Sequence, residues 1–302
     1  MMINISLTGG NGFVGKNLIS YLKERALHTN LISREQLGDA NIELYKDCDV
    51  LVHLAGKAHD LKKSANSEEY FKVNFELTKN IYDSFLRSKA KKFIFISSVK
   101  ASADSVEGIL YEDNNPNPQT DYGKSKLLAE EYIKRQELPV GKSYYILRPC
   151  MIHGPGNKGN LNLLYTFVKK GIPYPLAAFQ NKRSFLSIEN LCFVIKELIV
   201  RDDIPSDVYH VADDEPLSTN EVVTILADSL NFKPRLWPIS KKVISFFAKV
   251  GDRLTLPLNT ERLHKLTESY IISNTKLKKH LGKELPLNSR EGLRITAQHF
   301  KH

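Results

Sequence analysis

Tyr122 and Lys126 stand four residues apart in Asp-Tyr-Gly-Lys-Ser-Lys, a stretch of helical pattern that puts both side chains on one face. A tyrosine with a pKa near 10 is a poor base at neutral pH. A lysine cation at about 4 Å, with an effective dielectric of about 20, favours phenolate by roughly 4 kcal/mol, or about three pKa units. So tuned, Tyr122 serves as acid or base at pH 7. Upstream, Phe-Ile-Phe-Ile-Ser-Ser-Val reads as a buried strand ending in Ser97 and Ser98. Hydroxyls at the carboxyl end of a strand lie where doubly wound sheets hold ligands. One of them can hydrogen-bond a substrate oxygen beside the tyrosine.

A second constellation stands near the start of the chain, where Gly9, Gly12 and Gly15 follow an apolar strand and open a helix through Phe13 and Val14. The first glycine allows a tight turn, the second lets backbone approach a pyrophosphate, and the third lets helix and sheet pack closely. The helix start then offers free N–H groups and a positive dipole end to phosphates. This is the pattern of a dinucleotide site. The second strand ends at Ser33-Arg34, where an acid would bond a ribose 2′-hydroxyl. An adjacent arginine suits a 2′-phosphate instead, so NADP(H) is favoured and NAD(H) is the alternative. Asp39 lies past the strand and is not expected to replace the missing acid.

The elements that must position these groups alternate through the first half of the chain. Strands are expected at Ile-Asn-Ile-Ser-Leu-Thr-Gly, Thr-Asn-Leu-Ile-Ser-Arg, Asp-Val-Leu-Val-His-Leu-Ala-Gly, Lys-Phe-Ile-Phe-Ile-Ser-Ser-Val and Ser-Tyr-Tyr-Ile-Leu-Arg-Pro, with helices between them, and a last strand at Asp-Val-Tyr-His-Val-Ala. The first helix turns Val14, Leu18 and Leu22 to one face; a single long helix is expected from Ser67 to Ala90, and another from Leu161 to about Pro175. Near-continuous apolar strands between helices predict a parallel sheet covered on both faces, an α/β Rossmann-like doubly wound fold. A smaller, mostly helical C-terminal lobe follows. The boundaries drawn are 1–151 and 184–212 for the dinucleotide-binding domain, and 152–183 and 213–302 for the substrate lobe.

The 302 residues include three widely spaced cysteines, Cys48, Cys150 and Cys192, which argue against a disulfide framework. No cysteine or histidine spacing suggests a metal, and none is expected. The opening residues read as a strand rather than a leader, so the cytoplasm is the expected compartment. The formal charge of +9 comes without a recognition motif for nucleic acid, and none is expected as partner. Trp237 to Leu254 mixes apolar and basic residues; it reads as a helix covering the substrate pocket rather than one resting on a membrane.

The ordered set of glycine loop, His-Leu-Ala-Gly, Ser-Ser-Val, Tyr-Gly-Lys-Ser-Lys and Leu-Arg-Pro-Cys-Met-Ile-His-Gly-Pro-Gly resembles the extended branch of the short-chain dehydrogenase/reductase family, over nearly the whole chain. Within it the chain looks like the UDP-glucose 4-epimerase-like subgroup of nucleotide-sugar enzymes. The resemblance implies a catalytic set of Ser98, Tyr122 and Lys126. It implies that Leu54, Ala55 and Gly56 lie against the cofactor and that Asn74 props the site. For a UDP-sugar substrate it implies contacts from Ser98, Lys100 and Asn160, with Arg183 and Arg262 gripping the diphosphate. His53 and Arg148 read as structural. Val99 and Lys100 stand where a dehydratase needs an acidic pair, which excludes dehydration. A 4-reductase of a UDP-4-keto-6-deoxy-N-acetylhexosamine, in surface polysaccharide synthesis, is the expectation. A UDP-sugar 4-epimerase is the alternative, and a non-catalytic NADP-binding sensor or scaffold a remote third. The family also implies a homodimer paired through the helices of Asn74 and Tyr122.

Overall fold

The computed structural model describes residues 3–38, 47–57, 66–157, 159–254 and 259–300; Asp39 lies outside them. Its strands are β1 (Ile5–Thr8), β2 (Thr29–Ile32), β3 (Val50–His53), β4 (Lys92–Ile96), β5 (Ile109–Leu110), β6 (Ser143–Pro149), β7 (Met151–His153), β8 (Phe185–Ser187), β9 (Asp207–Val211) and β10 (Ile271–Ile272). Six form one parallel sheet in the order β2-β1-β3-β4-β6-β9. From β2 the chain crosses back over β1 to β3, so the order reverses between β1 and β3. Ligands of open α/β sheets bind outside the carboxyl ends of the strands at such a point.

The first six helices are α1 (Phe13–Lys23), α2 (Ser67–Tyr70), α3 (Leu77–Arg87), α4 (Asp121–Arg135), α5 (Asn160–Lys169) and α6 (Ile188–Val200). One face of the sheet packs Leu18 and Leu22 of α1 and Leu191, Ile195 and Leu198 of α6 onto Ile5, Leu7, Val52 and Leu147. Val14 is half-buried, and Gly15 takes the innermost place in its turn. The other face packs Tyr82 and Phe85 of α3 and Ala129 and Ile133 of α4 onto Leu51, Phe93 and Phe95. Phe85 and Phe93 are fully buried, each contributing roughly 1.5–3 kcal/mol, which fixes α3 and the turn that precedes it. A further core joins α5 to α7 (Thr219–Ser229), α8 (Lys241–Leu254), α9 (Thr260–Thr267) and α11 (Ser289–His299), while α10 (Thr275–Leu281) returns Leu277 and Leu281 to the first core.

Three local expectations change. The helix expected from Ser67 is α2 and α3 joined by a π-helical segment, Phe71–Glu76, where the Leu77 N–H bonds the Lys72 carbonyl five residues back. α5 stops at Lys169, because Gly171 takes a left-handed φ of +66° and Pro173 follows. The pair β5–β10 is new; two residues per strand are too few to show a period.

Candidate active site

The carboxyl ends of β1 and β3 meet at glycine. Gly9 has φ +73°, and a Cβ there would lie 2.6 Å from the Ala55 nitrogen. A Cβ on Gly15 would lie 2.4 Å from the Gly9 carbonyl. Both positions exclude every other residue, and the loops Gly9–Gly12 and Leu54–Gly56 lie edge to edge as a result. α1 starts on Gly12, which has no capping side chain, and its first turn has no acid. Its leading N–H groups therefore suit an anion, and this cradle fits the pyrophosphate of a dinucleotide. Phe13 is half-buried against the first core. Ser33 and Arg34 are exposed at the end of β2. The Ser33 hydroxyl lies 3.3 Å from a Glu35 carboxylate oxygen, and Glu35 is the acid that sequence reasoning passed over.

A run of buried hydrogen bonds joins these loops to α4. Thr8 Oγ1 lies 2.7 Å from His53 Nδ1, and His53 Nε2 lies 3.0 Å from Thr78 Oγ1. Thr78 donates its only hydroxyl proton to the Asn74 carbonyl at 2.8 Å. It must therefore accept from His53, which fixes the Nε2–H tautomer and leaves Nδ1 to accept from Thr8. His53 is fully buried, and desolvation with the nearby Lys126 charge holds its pKa near 3, so it stays neutral. It is a structural histidine. Asn74 continues the run: its Oδ1 accepts the Lys57 N–H at 2.8 Å, and its Nδ2 donates to Ser125 Oγ at 3.1 Å. Ser125 donates in turn to the Tyr122 carbonyl at 2.8 Å. The π-helical segment delivers Asn74 to this place.

Tyr122 and Lys126 open α4, capped by Thr120, whose Oγ1 accepts from Gly123 N at 3.2 Å. Gly123 is a second residue that sequence reasoning left aside. A Cβ there would lie 2.4 Å from the Lys100 carbonyl, so glycine lets α4 close on the Val99–Ala101 turn. Ser98 caps that turn, accepting the Lys100 N–H at 3.2 Å, and bonds the Tyr122 hydroxyl. The neighbouring serine goes elsewhere. Ser97 donates to Glu130 at 2.5 Å, and Glu130 grips Arg148 at 2.6 and 3.0 Å in a fully buried pair that Ser102 completes. Arg148 is thus structural as an ion pair beneath the serines, beyond ending a strand.

Lys126 Nζ donates to the Ile96 carbonyl at 2.9 Å, lies over the Phe95 ring, and would meet a Cβ on Gly56 at 3.0 Å. Burial pulls its pKa down to about 8. The expected depression of Tyr122 does not occur in this structure: burial raises its phenol, against the hydrogen bond from Ser98. Desolvation dominates, the Tyr70 phenol adding to it, and Tyr122 stands in this structure as the protonated phenol.

The substrate-side residues divide. Lys100 Nζ bonds the Asp104 carbonyl at 2.8 Å and lies over the Tyr270 ring. Arg183 bonds the carbonyls of Glu268 and Lys265, with the Glu268 carboxylate 3.7 Å away. Burial lowers the pKa of both Lys100 and Arg183, and for Lys100 the Arg183 charge lowers it further. Asn160 is exposed at the first turn of α5, and Arg262 is exposed on α9.

A doubly wound sheet with a glycine cradle at its switch point, and a Ser98–Tyr122–Lys126 cluster facing it, defines a dinucleotide-dependent enzyme. Comparison with known proteins places it further. The chain belongs to the NAD dependent epimerase/dehydratase family, which it matches over residues 5–212. A Vibrio cholerae protein named UDP-glucose 4-epimerase is 32% identical over 319 residues, spanning 98% of this chain and 95% of its own. An Escherichia coli O157:H7 protein, N-acetyl-alpha-D-glucosaminyl-diphospho-ditrans,octacis-undecaprenol 4-epimerase, is 28% identical over 246 residues, 76% of this chain and 73% of its own. The solved UDP-glucuronic acid 4-epimerase of Bacillus cereus, in complex with NAD, shares the fold at TM-score 0.74 and 18% identity, covering 99% of each chain.

Proposed function

We propose that this protein is a 4-epimerase of a UDP-hexose that keeps NAD bound through each turnover. The observation that carries the chemistry is the Tyr122 hydroxyl bonded to Ser98, with Lys126 one turn further along the same helix. Relatives support epimerisation over the reduction expected from Ser33-Arg34: the Vibrio relative matches over nearly its full length and is named for it. Glu35 beside Ser33 supports NAD over NADP, since a carboxylate bonds a ribose 2′-hydroxyl and repels a 2′-phosphate. Both named relatives act on hexoses carried on a diphosphate, the group that Lys100 and Arg183 are suited to hold. The substrate lobe of this reading comprises 152–183 and 213–302.

Bound NAD supplies a reversible hydride acceptor at C4 of the sugar. Gly9, Gly12 and the first turn of α1 hold its diphosphate, and Leu54–Gly56 line it. Ser98 orients the C4 oxygen. The Tyr122 phenol must first give up its proton; its phenolate then takes the proton from that oxygen as the hydroxyl becomes a carbonyl, and the phenol so formed returns it when the hydroxyl reforms on the other face. Lys126, cationic below about pH 8, is the charge that favours the phenolate during this exchange. Val99 is buried and apolar and Lys100 is basic, so no acidic pair stands where dehydration needs one.

The test is protein purified without added nucleotide. The released nucleotide is identified by mass spectrometry, and UDP-glucose and UDP-N-acetylglucosamine are followed by NMR. Stoichiometric NAD and inversion at C4 with no added cofactor are expected, and Tyr122→Phe should abolish inversion while retaining NAD. Empty protein that instead consumes NADPH with a 4-keto sugar would replace this reading with the reductase.

A further inference from the structure

α8 carries a broad apolar arc. Ile244, Ala248 and Gly251, one above another on a helix, face the core shared with α5 and α7. Phe247 and Val243 flank that stripe and Phe246 stands nearly opposite it, so the apolar surface runs on from the core side to an outer side, where the two phenylalanines are 63% and 57% exposed and packed edge to face on each other. Lys242, Lys249 and Arg253 form a basic stripe beside that outer side, at the spacing of i, i+7 and i+11. The helix's one acid, Asp252, is turned away from it and bonds Thr260 N at 2.9 Å and Thr260 Oγ1 at 2.5 Å, at the start of α9. Leu266 of α9 and Trp237, just ahead of α8, are also exposed. Burial of one stripe accounts for folding; nothing in folding calls for exposed neighbouring phenylalanines edged by cations.

We propose that α8 rests on the surface of an anionic bilayer, with Phe246 and Phe247 entering the acyl boundary and Lys242, Lys249 and Arg253 meeting lipid phosphates. The composition is that of an interfacial helix, with aromatics on one side and basic residues along its edge. Among the described residues no helix is long and apolar enough to cross a membrane, so the contact is with the surface. Charge selects this occupant over a second copy of the chain. An isologous pairing through α8 sets two basic stripes into one interface, where like charges repel, whereas an anionic lipid surface complements them. The sequence expectation of a helix that only covers the substrate pocket accounts for the inner stripe alone.

Vesicle flotation of the full chain tests this. Recovery with phosphatidylglycerol–phosphatidylcholine vesicles at low salt is expected, with little on phosphatidylcholine alone and a steep loss as salt rises. Phe246→Ser with Phe247→Ser should release the protein, with thermal melting and bound nucleotide unchanged. Should that pair misfold, Lys242→Gln, Lys249→Gln and Arg253→Gln together carry the test, lowering the partition about a hundredfold. No flotation on anionic vesicles overturns the proposal, as does flotation that neither variant reduces. So does a dimer in sedimentation equilibrium that the phenylalanine pair abolishes, since that assigns the face to a second copy. UDP-sugar turnover in solution is a separate readout, so failure here leaves the reaction assignment standing.

Discussion

Lys126→Met should make the protein inactive and, at neutral pH, more stable. Lys126 is 4% exposed, and its pKa falls from 10.5 in the open chain to about 8 in the fold. That difference, about 2.5 units, means that keeping the ammonium buried at pH 7 costs about 3 kcal/mol. Methionine fills similar space without charge but leaves the Ile96 carbonyl without its donor, a loss of about 1–3 kcal/mol. The balance at pH 7 favours the variant by about 1 kcal/mol, a rise of a few degrees at most in the melting temperature of a chain this size. The sign with pH follows from the depressed pKa. Between about pH 8 and 10.5 the unfolded lysine still holds its proton and the folded one does not, so the wild type gains stability with rising pH and the variant does not. The variant's advantage should shrink and reverse across that window. Melting of nucleotide-free protein at several pH values, paired with the inversion assay, reads both effects. A difference in stability that is flat with pH, or a variant with full turnover, would refute the reasoning.

Other substitutions probe the supports of the site. Arg148→Met strands a buried Glu130 carboxylate and should cost about 3–5 kcal/mol, read as an earlier urea midpoint with unchanged slope; adding Glu130→Gln should recover much of it. Gly123→Ala puts a methyl group 2.4 Å from the Lys100 carbonyl and pushes α4 off the Ser98 turn. Turnover should fall at least about tenfold while bound NAD is kept, because the cradle is on the other side of the site. Gly9→Ala meets both a left-handed backbone and the Ala55 nitrogen, so purified protein should carry no nucleotide.

How much of this was legible in the sequence depends on the range of the forces involved. The sheet was legible because its strands are apolar on both faces, a pattern that only a two-sided burial explains. The glycine cradle was legible because φ and close approach restrict Gly9 and Gly15 to one residue type. The π-helical segment was not, because Phe71–Glu76 has the composition of any amphipathic helix. The exposure of Phe246 and Phe247 was hidden too, since the apolar residues of α8 form one broad arc and only packing decides which part of it the core covers. The state of Tyr122 could not be read from its spacing to Lys126: the sign depends on desolvation, which only packing sets. Glu35 sits in plain view three residues past β2, but its approach to Ser33 is a property of the turn.

The chain of buried hydrogen bonds from Thr8 to Tyr122 also bears on how the site comes into being. Its two helical links, Thr78 to Asn74 and Ser125 to Tyr122, are local, but the three that join the elements span 45, 25 and 51 residues of sequence, so no local segment can build the whole. β1, β3, the π-helical segment and α4 must all be docked before the last bond closes, and long loops close late. The glycine cradle needs only β1, β3 and α1, whereas the catalytic geometry needs α4 docked as well, so the cradle is complete before the catalytic cluster is. On the proposed reading, a nucleotide that binds the cradle stabilises only copies in which β1, β3 and α1 are already docked, and so favours complete topology over partial ones.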